Sequence, residues 1–180
     1  MQRNYINKLS KEIHSNNIKA GWWDNTDECL FQKLQLISTE VAEATEGARK
    51  NLMDDKLPYF KMESVELADT LIRTLDLGGK LVLTYEPSGV EHPLLDKKNT
   101  IGMNHLAINC TIVDFTKALF LEKDKETLNK FYSVMVDTIL KCARIRGHNI
   151  AQPIKDKLDF NAIRSDHKPE NRALQNGKKF

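Results

Sequence analysis

Leu30-Phe31-Gln32-Lys33-Leu34-Gln35-Leu36-Ile37-Ser38-Thr39-Glu40-Val41-Ala42-Glu43-Ala44-Thr45-Glu46-Gly47-Ala48 is the stretch that decides the fold. Leu30, Leu34, Ile37, Val41, Ala44 and Ala48 recur at steps of three and four, the period that stacks side chains on one face of an α-helix. A stripe this long has to be covered by another element. Upstream, Asn25 and Glu28 have the spacing of a capping box, so this second helix is expected to start there and to run to about Asn51.

Working outward, the same period continues and strand-like alternation is almost absent. Ile6, Leu9 and Ile13 mark a first helix over 2–17, closed near Gly21. Val65, Ala68, Ile72 and Leu75 mark a third helix from Tyr59 or Lys61, whose far end Gly78-Gly79 should weaken or kink. After a Pro- and Gly-bearing loop over 86–99, a fourth helix is expected over 101–121, capped by Thr100. A fifth spans 125–146 on the stripe Leu128, Phe131, Met135, Thr138, Cys142 and Ile145, with Gly147 ending it. A sixth covers 152–164, with Pro153 suited to its first turn. The fold class is therefore an all-α helical bundle, one domain over 1–164 followed by a C-terminal arm over 165–180, ordered or disordered.

Bulk properties exclude several function classes. The chain has 180 residues, 27 Lys and Arg against 25 Asp and Glu, and a net charge of +2, which gives no argument for a nucleic-acid partner. Three widely spaced cysteines, Cys29, Cys110 and Cys142, make neither a disulfide framework nor a zinc site. No apolar run reaches membrane-spanning length and the first ten residues lack a signal-like apolar core, so the expected location is cytoplasmic. The five histidines form no Glu-x-x-His pair, which argues against a ferritin-like di-iron bundle. Gly-rich phosphate loops and nucleophile elbows are missing.

The chemistry lies in two acidic pairs, Glu40-x-x-Glu43 on the second helix and Glu66-x-x-Asp69 on the third. On a helical wheel Glu40 and Asp69 stand about 80° from the centres of their apolar stripes, and Glu43 and Glu66 about 140°. Antiparallel packing near these margins would bring the pairs face to face. Two carboxylates about 4 Å apart repel by roughly 4 kcal/mol at an effective dielectric of about 20. A hard cation such as Mg²⁺ or Mn²⁺ removes that repulsion. The alternatives are solvated acidic faces, and an intrahelical Asp69–Arg73 ion pair.

Glu40-x-x-Glu43, a spacer of 22 residues and Glu66-x-x-Asp69 resemble the metal-binding signature of the MazG-like all-α NTP pyrophosphohydrolases. The flanks match too: Gly21-Trp22-Trp23, Ser38-Thr39-Glu40-Val41-Ala42-Glu43-Ala44 and Glu66-Leu67-Ala68-Asp69-Thr70-Leu71-Ile72-Arg73. The resemblance covers about 18–80 and resumes at Lys157-x-x-x-Asn161-x-x-Arg164; residues 81–147 do not align. It implies hydrolysis of a nucleoside triphosphate to the monophosphate and pyrophosphate. Two or three Mg²⁺ or Mn²⁺ ions would be held by Glu40, Glu43, Glu66 and Asp69, with water activated at the metal. Glu40 and Glu43 are thus the expected catalytic acids. Glu63, one turn before Glu66, is expected as an outer acid or general base, or as a plain surface acid.

Lys157, Asn161 and Arg164 share one helix face and suit phosphate or sugar, as does Lys33, two turns before Glu40. Trp22 and Trp23 offer a flat face for a nucleobase, or one of them fills the core. The resemblance also implies a homo-oligomer, dimer or tetramer. Some phage members of the family act on dGTP or GTP, which makes guanine nucleotides an expected substrate. Rival readings are a dimeric all-α dUTPase, a phosphoribosyl-ATP pyrophosphohydrolase, and a non-catalytic helical interaction protein.

Overall fold

The computed structural model describes residues 1–24 and 30–177. Among these, the helices are α1 (Arg3–Lys19), α2 (Leu30–Lys50), α3 (Met62–Lys80), α4 (Ile101–Phe120), α5 (Lys125–Ile145), α6 (Ala151–Ile163) and the short α7 (Pro169–Arg172), with a 3₁₀ turn at Ser165–His167. The only β pairing among the described residues is an isolated antiparallel bridge between Met53 and Lys61 in the α2–α3 connection. Among the described residues, no helix is long and apolar enough to cross a membrane. The expected capping box at Asn25 and Glu28, and Cys29, lie outside the described residues.

α3 is the axis of the fold. Fourteen of its nineteen residues are buried, because α1, α2, α5 and α6 all pack against it. α4 lies outside, packed on α2 and α5. Thr45 near the end of α2 meets His105 near the start of α4, and Phe31 meets Phe120 at the opposite ends, so these two helices run antiparallel. The fully buried centre holds Ile6, Ile37, Leu71, Phe115, Tyr132 and Ile139.

Gly78 and Gly79 do not kink α3; the helix runs through them to Lys80. A Cβ on Gly78 would stand 2.5 Å from the Tyr132 ring, and one on Gly79 2.5 Å from His14 Cβ. These glycines let α5 and α1 approach α3 closely. The stripe of α5 also differs from expectation. Its buried centre is Tyr132, Met135, Val136, Ile139, Cys142 and Ala143, while Leu128, Phe131 and Ile145 are only partly buried, because α5 is wedged between α3 and α4 and turns a different side to each.

Five helices close in the same way. The N–H two residues past the last turn bonds back five positions: Trp22 to Asn17, Leu52 to Gly47, Leu83 to Gly78, Lys123 to Ala118 and His148 to Ala143. Each closure needs one left-handed residue. Gly21 and Gly147 supply two, but Asn51 (φ 53°), Val82 (φ 53°) and Glu122 (φ 49°) supply the rest. Thr100 caps α4 as expected, accepting from the Met103 amide at 3.3 Å, and Asp124 caps α5.

Candidate metal and nucleotide cleft

α2 and α3 enter one cleft with their acidic sides, and α6 closes it. Glu40, Glu43 and Glu66 each offer a carboxylate oxygen, all within 4.8 Å of one another. Asp69 lines the same cleft, one turn further along α3. The cleft has a volume of about 1150 Å³ and also takes in the Trp22 loop, the end of α1 and the start of the C-terminal arm.

Burial within the acidic set departs from the wheel. Glu40, Glu66 and Asp69 are all buried and Glu43 alone is exposed. Glu66 was placed as far from its stripe as Glu43, but α6 covers that side of α3 and no helix covers the corresponding side of α2. Burial comes first among the causes that push Glu66 up to about 9, and the carboxylates of Asp69 and Glu40 add to it. Glu40 is raised by burial and by Asp69, against Arg73. Glu66 Oε2 is buried without a hydrogen-bond partner. The chemistry of this donor set is compatible with a hard divalent cation: three converging carboxylates on two helices, one of them with a buried oxygen that makes no hydrogen bond.

Two cations already lean on these acids. Arg73 sets its Nε 2.8 Å from Glu40 Oε1, as an ion pair across helices whose N–H is not aligned for a hydrogen bond. The alternative of an intrahelical Asp69–Arg73 ion pair gives way to one between helices, in which the guanidinium crosses to Glu40 on α2. Lys157 of α6 is buried, with Nζ 3.3 Å from Asp69 Oδ2 and 3.8 Å from Glu66 Oε2. Burial opposes its charge, yet Asp69 and Glu66 outweigh burial and hold the ammonium above its usual range.

The other predicted residues divide. Asn161, one turn after Lys157, lines the cleft with its Oδ1 buried and without a partner. Arg164 also lines it, but its guanidinium grips Asp166 at 2.8 and 2.6 Å and stacks on Phe160. Lys33 stands on the opposite wall and donates to the Trp22 carbonyl at 3.2 Å. Both tryptophans line the cleft. Trp23 is mostly buried in the core, and its indole N–H donates to Asp76 at 3.1 Å. Trp22 is half-buried on the cleft wall, under the Arg172 guanidinium at 4.1 Å. Arg172 also donates to the Ala20 carbonyl, which joins this part of the C-terminal arm to the end of α1.

Glu63 is neither beside the ligands nor on the surface. It is buried and turned toward α4 and α5, where it accepts from His105 at 3.1 Å, Arg146 at 2.7 Å and His148 at 2.9 Å. Burial alone would raise its pKa, but these three donors hold it far below the carboxylate range. It does not line the cleft, and its expected catalytic part is withdrawn on that ground.

Asp76 was missed. It lies two turns after Asp69 on the same face of α3 and lines the cleft. Its carboxylate gathers His14 (2.8 Å), Asn17 (2.7 Å) and Trp23, which ties α1 and the tryptophan loop to the cleft wall. The seven-residue step from Asp69 was the available signal. No protein-family model, curated protein or solved structure matches this chain.

Proposed function

We propose that the chain is a Mg²⁺- or Mn²⁺-dependent nucleoside triphosphate pyrophosphohydrolase that converts an NTP or dNTP to the monophosphate and pyrophosphate. The observation that carries this reading is the convergence of Glu40, Glu43 and Glu66 within 4.8 Å, with Glu66 Oε2 buried and unpartnered, in a cleft whose other wall holds Lys157 and Asn161. A metal held by Glu40, Glu43, Glu66 and Asp69 would lower the pKa of a bound water and neutralise phosphate charge. Arg73 and Lys157 offset two of the four negative charges, and one divalent cation balances the remaining two. A second or third ion would need further donors from the phosphates.

The chain's own residues then divide the remaining work. Lys157 and Asn161 face the acids from α6 and bind phosphate oxygens, Lys as a point charge and Asn through its amide. Glu43 is the exposed member of the set, which supports a part for it in taking the proton of the attacking water. Lys33 and Trp22 form the far wall, where the nucleoside rests. A cleft of this size suits a nucleotide.

The test is incubation with each NTP and dNTP, dUTP and phosphoribosyl-ATP included, with Mg²⁺ or Mn²⁺ in ¹⁸O-water. Guanine nucleotides head the panel. The label should appear in the monophosphate, with pyrophosphate as the other product. Diphosphate plus phosphate, or no turnover on the whole panel, would overturn the reading. In the second case a non-catalytic helical interaction protein is left standing.

A further inference from the structure

A buried polar node outside the cleft joins α2, α3, α4 and the end of α5. Glu63, in the first turn of α3, accepts from His105 of α4 at 3.1 Å, and from Arg146 and His148 just past α5. The buried His105 ring reaches further. Its other nitrogen, Nδ1, lies 2.8 Å from Thr45 Oγ1 of α2. One imidazole thus bridges α2 and α3, and it does so beside the acidic pairs. Thr45 is two residues after Glu43 and Glu63 three residues before Glu66, so both anchors stand within about one turn of the carboxylates. His105 itself does not line the cleft.

The bridge acts on a spacing that packing alone leaves half-determined. Gly47 of α2 lies against the start of α3, where an added Cβ would stand 2.8 Å from Met62 Cβ and 3.0 Å from the Glu63 amide nitrogen. That contact fixes how near the two helices come. It does not fix how far apart they stand, because single dispersion contacts are weak and have no direction. Hydrogen bonds are short and directional, so the Thr45–His105–Glu63 bridge supplies the outer limit. Arg146 and His148 hold the Glu63 carboxylate from the side of α5, which fixes the anchor on α3. A glutamine at position 63 would still offer an oxygen to Nε2, so the bridge does not depend on the charge of Glu63.

Such a spacing matters most to a small cation. Mg²⁺ takes oxygens at about 2.0–2.1 Å in near-ideal octahedral geometry, whereas Ca²⁺ accepts a larger and more flexible set at about 2.3–2.6 Å. The acids of the proposed site are split between α2 and α3, so a change of about 0.5 Å in helix separation falls on the distances that cross between them. We propose that His105 is a positioning residue: by bridging α2 and α3 one turn from their acidic pairs, it holds the helices at the separation that a small octahedral cation needs. This role presupposes the metal site proposed above.

Isothermal titration of Mg²⁺ and of Ca²⁺ into the nucleotide-free chain separates positioning from stability. Wild type should bind both ions. His105→Leu fills similar space without either bond. Its Mg²⁺ Kd should weaken by about tenfold or more, as loss of an outer partner does. Its Ca²⁺ Kd should change by less than about threefold, since Ca²⁺ tolerates the looser geometry. Thr45→Val keeps the side-chain shape and removes only the α2 anchor. It should shift the ratio of the two constants in the same direction, and it tests the bridge even if His105→Leu does not fold. Ile6→Val is a core change on α1, which packs against neither α2 nor α4. It should lower Tm and leave the ratio at its wild-type value. An unchanged ratio in folded His105→Leu or in Thr45→Val, or an equal shift in Ile6→Val, would overturn the positioning role while the metal site stands. A wild type that does not bind Mg²⁺ would overturn the metal site itself, and this role with it.

Discussion

Lys157→Met separates the two electrostatic states of the cleft. In the metal-free protein Nζ lies 3.3 Å from Asp69 and 3.8 Å from Glu66, with the side chain almost fully buried. At 3.3 Å the attraction to Asp69 is worth about 5 kcal/mol at an effective dielectric of about 20, while Glu66, pushed up to about 9, is largely protonated at neutral pH in the absence of metal. Much of that attraction only repays the desolvation of the two charged groups. Removing one partner of a buried ion pair costs about 3–5 kcal/mol, because the remaining charges lose their compensation. For a chain of this length that is a fall in Tm of roughly 6–20 °C in EDTA, at about 2–4 °C per kcal/mol. Saturating Mg²⁺ supplies the missing positive charge, so most of the loss should be recovered when it is added. The Mg²⁺ Kd without nucleotide should tighten about tenfold or more, since a fixed cation next to the site has gone. Scanning calorimetry with and without Mg²⁺, and isothermal titration of the metal, read both effects. A variant with wild-type Tm in EDTA and wild-type Mg²⁺ affinity would refute the assignment of Lys157 as the resident counter-ion.

Three further outcomes follow from sites outside the cleft. Glu63 is an acid whose folded pKa is depressed, so its stabilisation is fully present above its unfolded value of about 4.5 and is lost as pH falls below it. The Tm of the wild type should drop steeply below about pH 4.5. Glu63→Gln should flatten that part of the curve, cost about 3–5 kcal/mol at neutral pH, and leave kcat/KM within about threefold well below its Tm, as a group outside the cleft requires; a loss of activity without a loss of stability would restore its catalytic part. Gly78→Ala should destabilise by about 1–3 kcal/mol, since its Cβ would overlap the Tyr132 ring. Val82→Gly should stabilise by about 1 kcal/mol by relieving a left-handed β-branched residue; urea titration reads both, and equal signs would contradict the geometry.

The helices were legible because their evidence is local. Apolar period, the Thr100 cap and Pro153 in a first turn put α4, α5 and α6 within one residue of their observed ends. Terminations were less legible because the left-handed residue that closes a helix was sought as glycine. Gly21 and Gly147 met that rule, and Asn51, Val82 and Glu122 did not. In these three the i→i−5 closure and the packing beyond it override local preference. The paired glycines of α3 misled in the opposite direction. Their low helix propensity is real, but the helix is held from all sides, and what the missing side chains provide is contact distance to Tyr132 and His14.

The acidic set was legible for a different reason. Three-residue spacing is itself the geometry that sets two carboxylates on one side of a helix, and two such pairs on consecutive helices of a hairpin can meet without help from the rest of the chain. What surrounds them could not be read this way, because a wheel gives the angle of a residue to its own stripe and not the neighbour that covers it. Glu66 and Glu43 stand at the same angle, yet α6 buries the first and leaves the second exposed. Glu63 lies one turn from Glu66, yet α4 and α5 claim it. Arg73 had Asp69 within reach on its own helix and pairs instead with Glu40 on α2, an equally buried acid that the wheel of a single helix cannot bring into view. Lys157 also pairs with buried acids of another helix, and the consequence would reach function. A lysine on a solvated face would only wait for phosphate. On the proposed reading, a buried lysine between Asp69 and Glu66 would have to exchange one set of negative charges for another when metal and nucleotide enter. Metal binding and release of Lys157 toward phosphate would then be coupled by charge balance within one cleft, a coupling that requires α6 packed against α3.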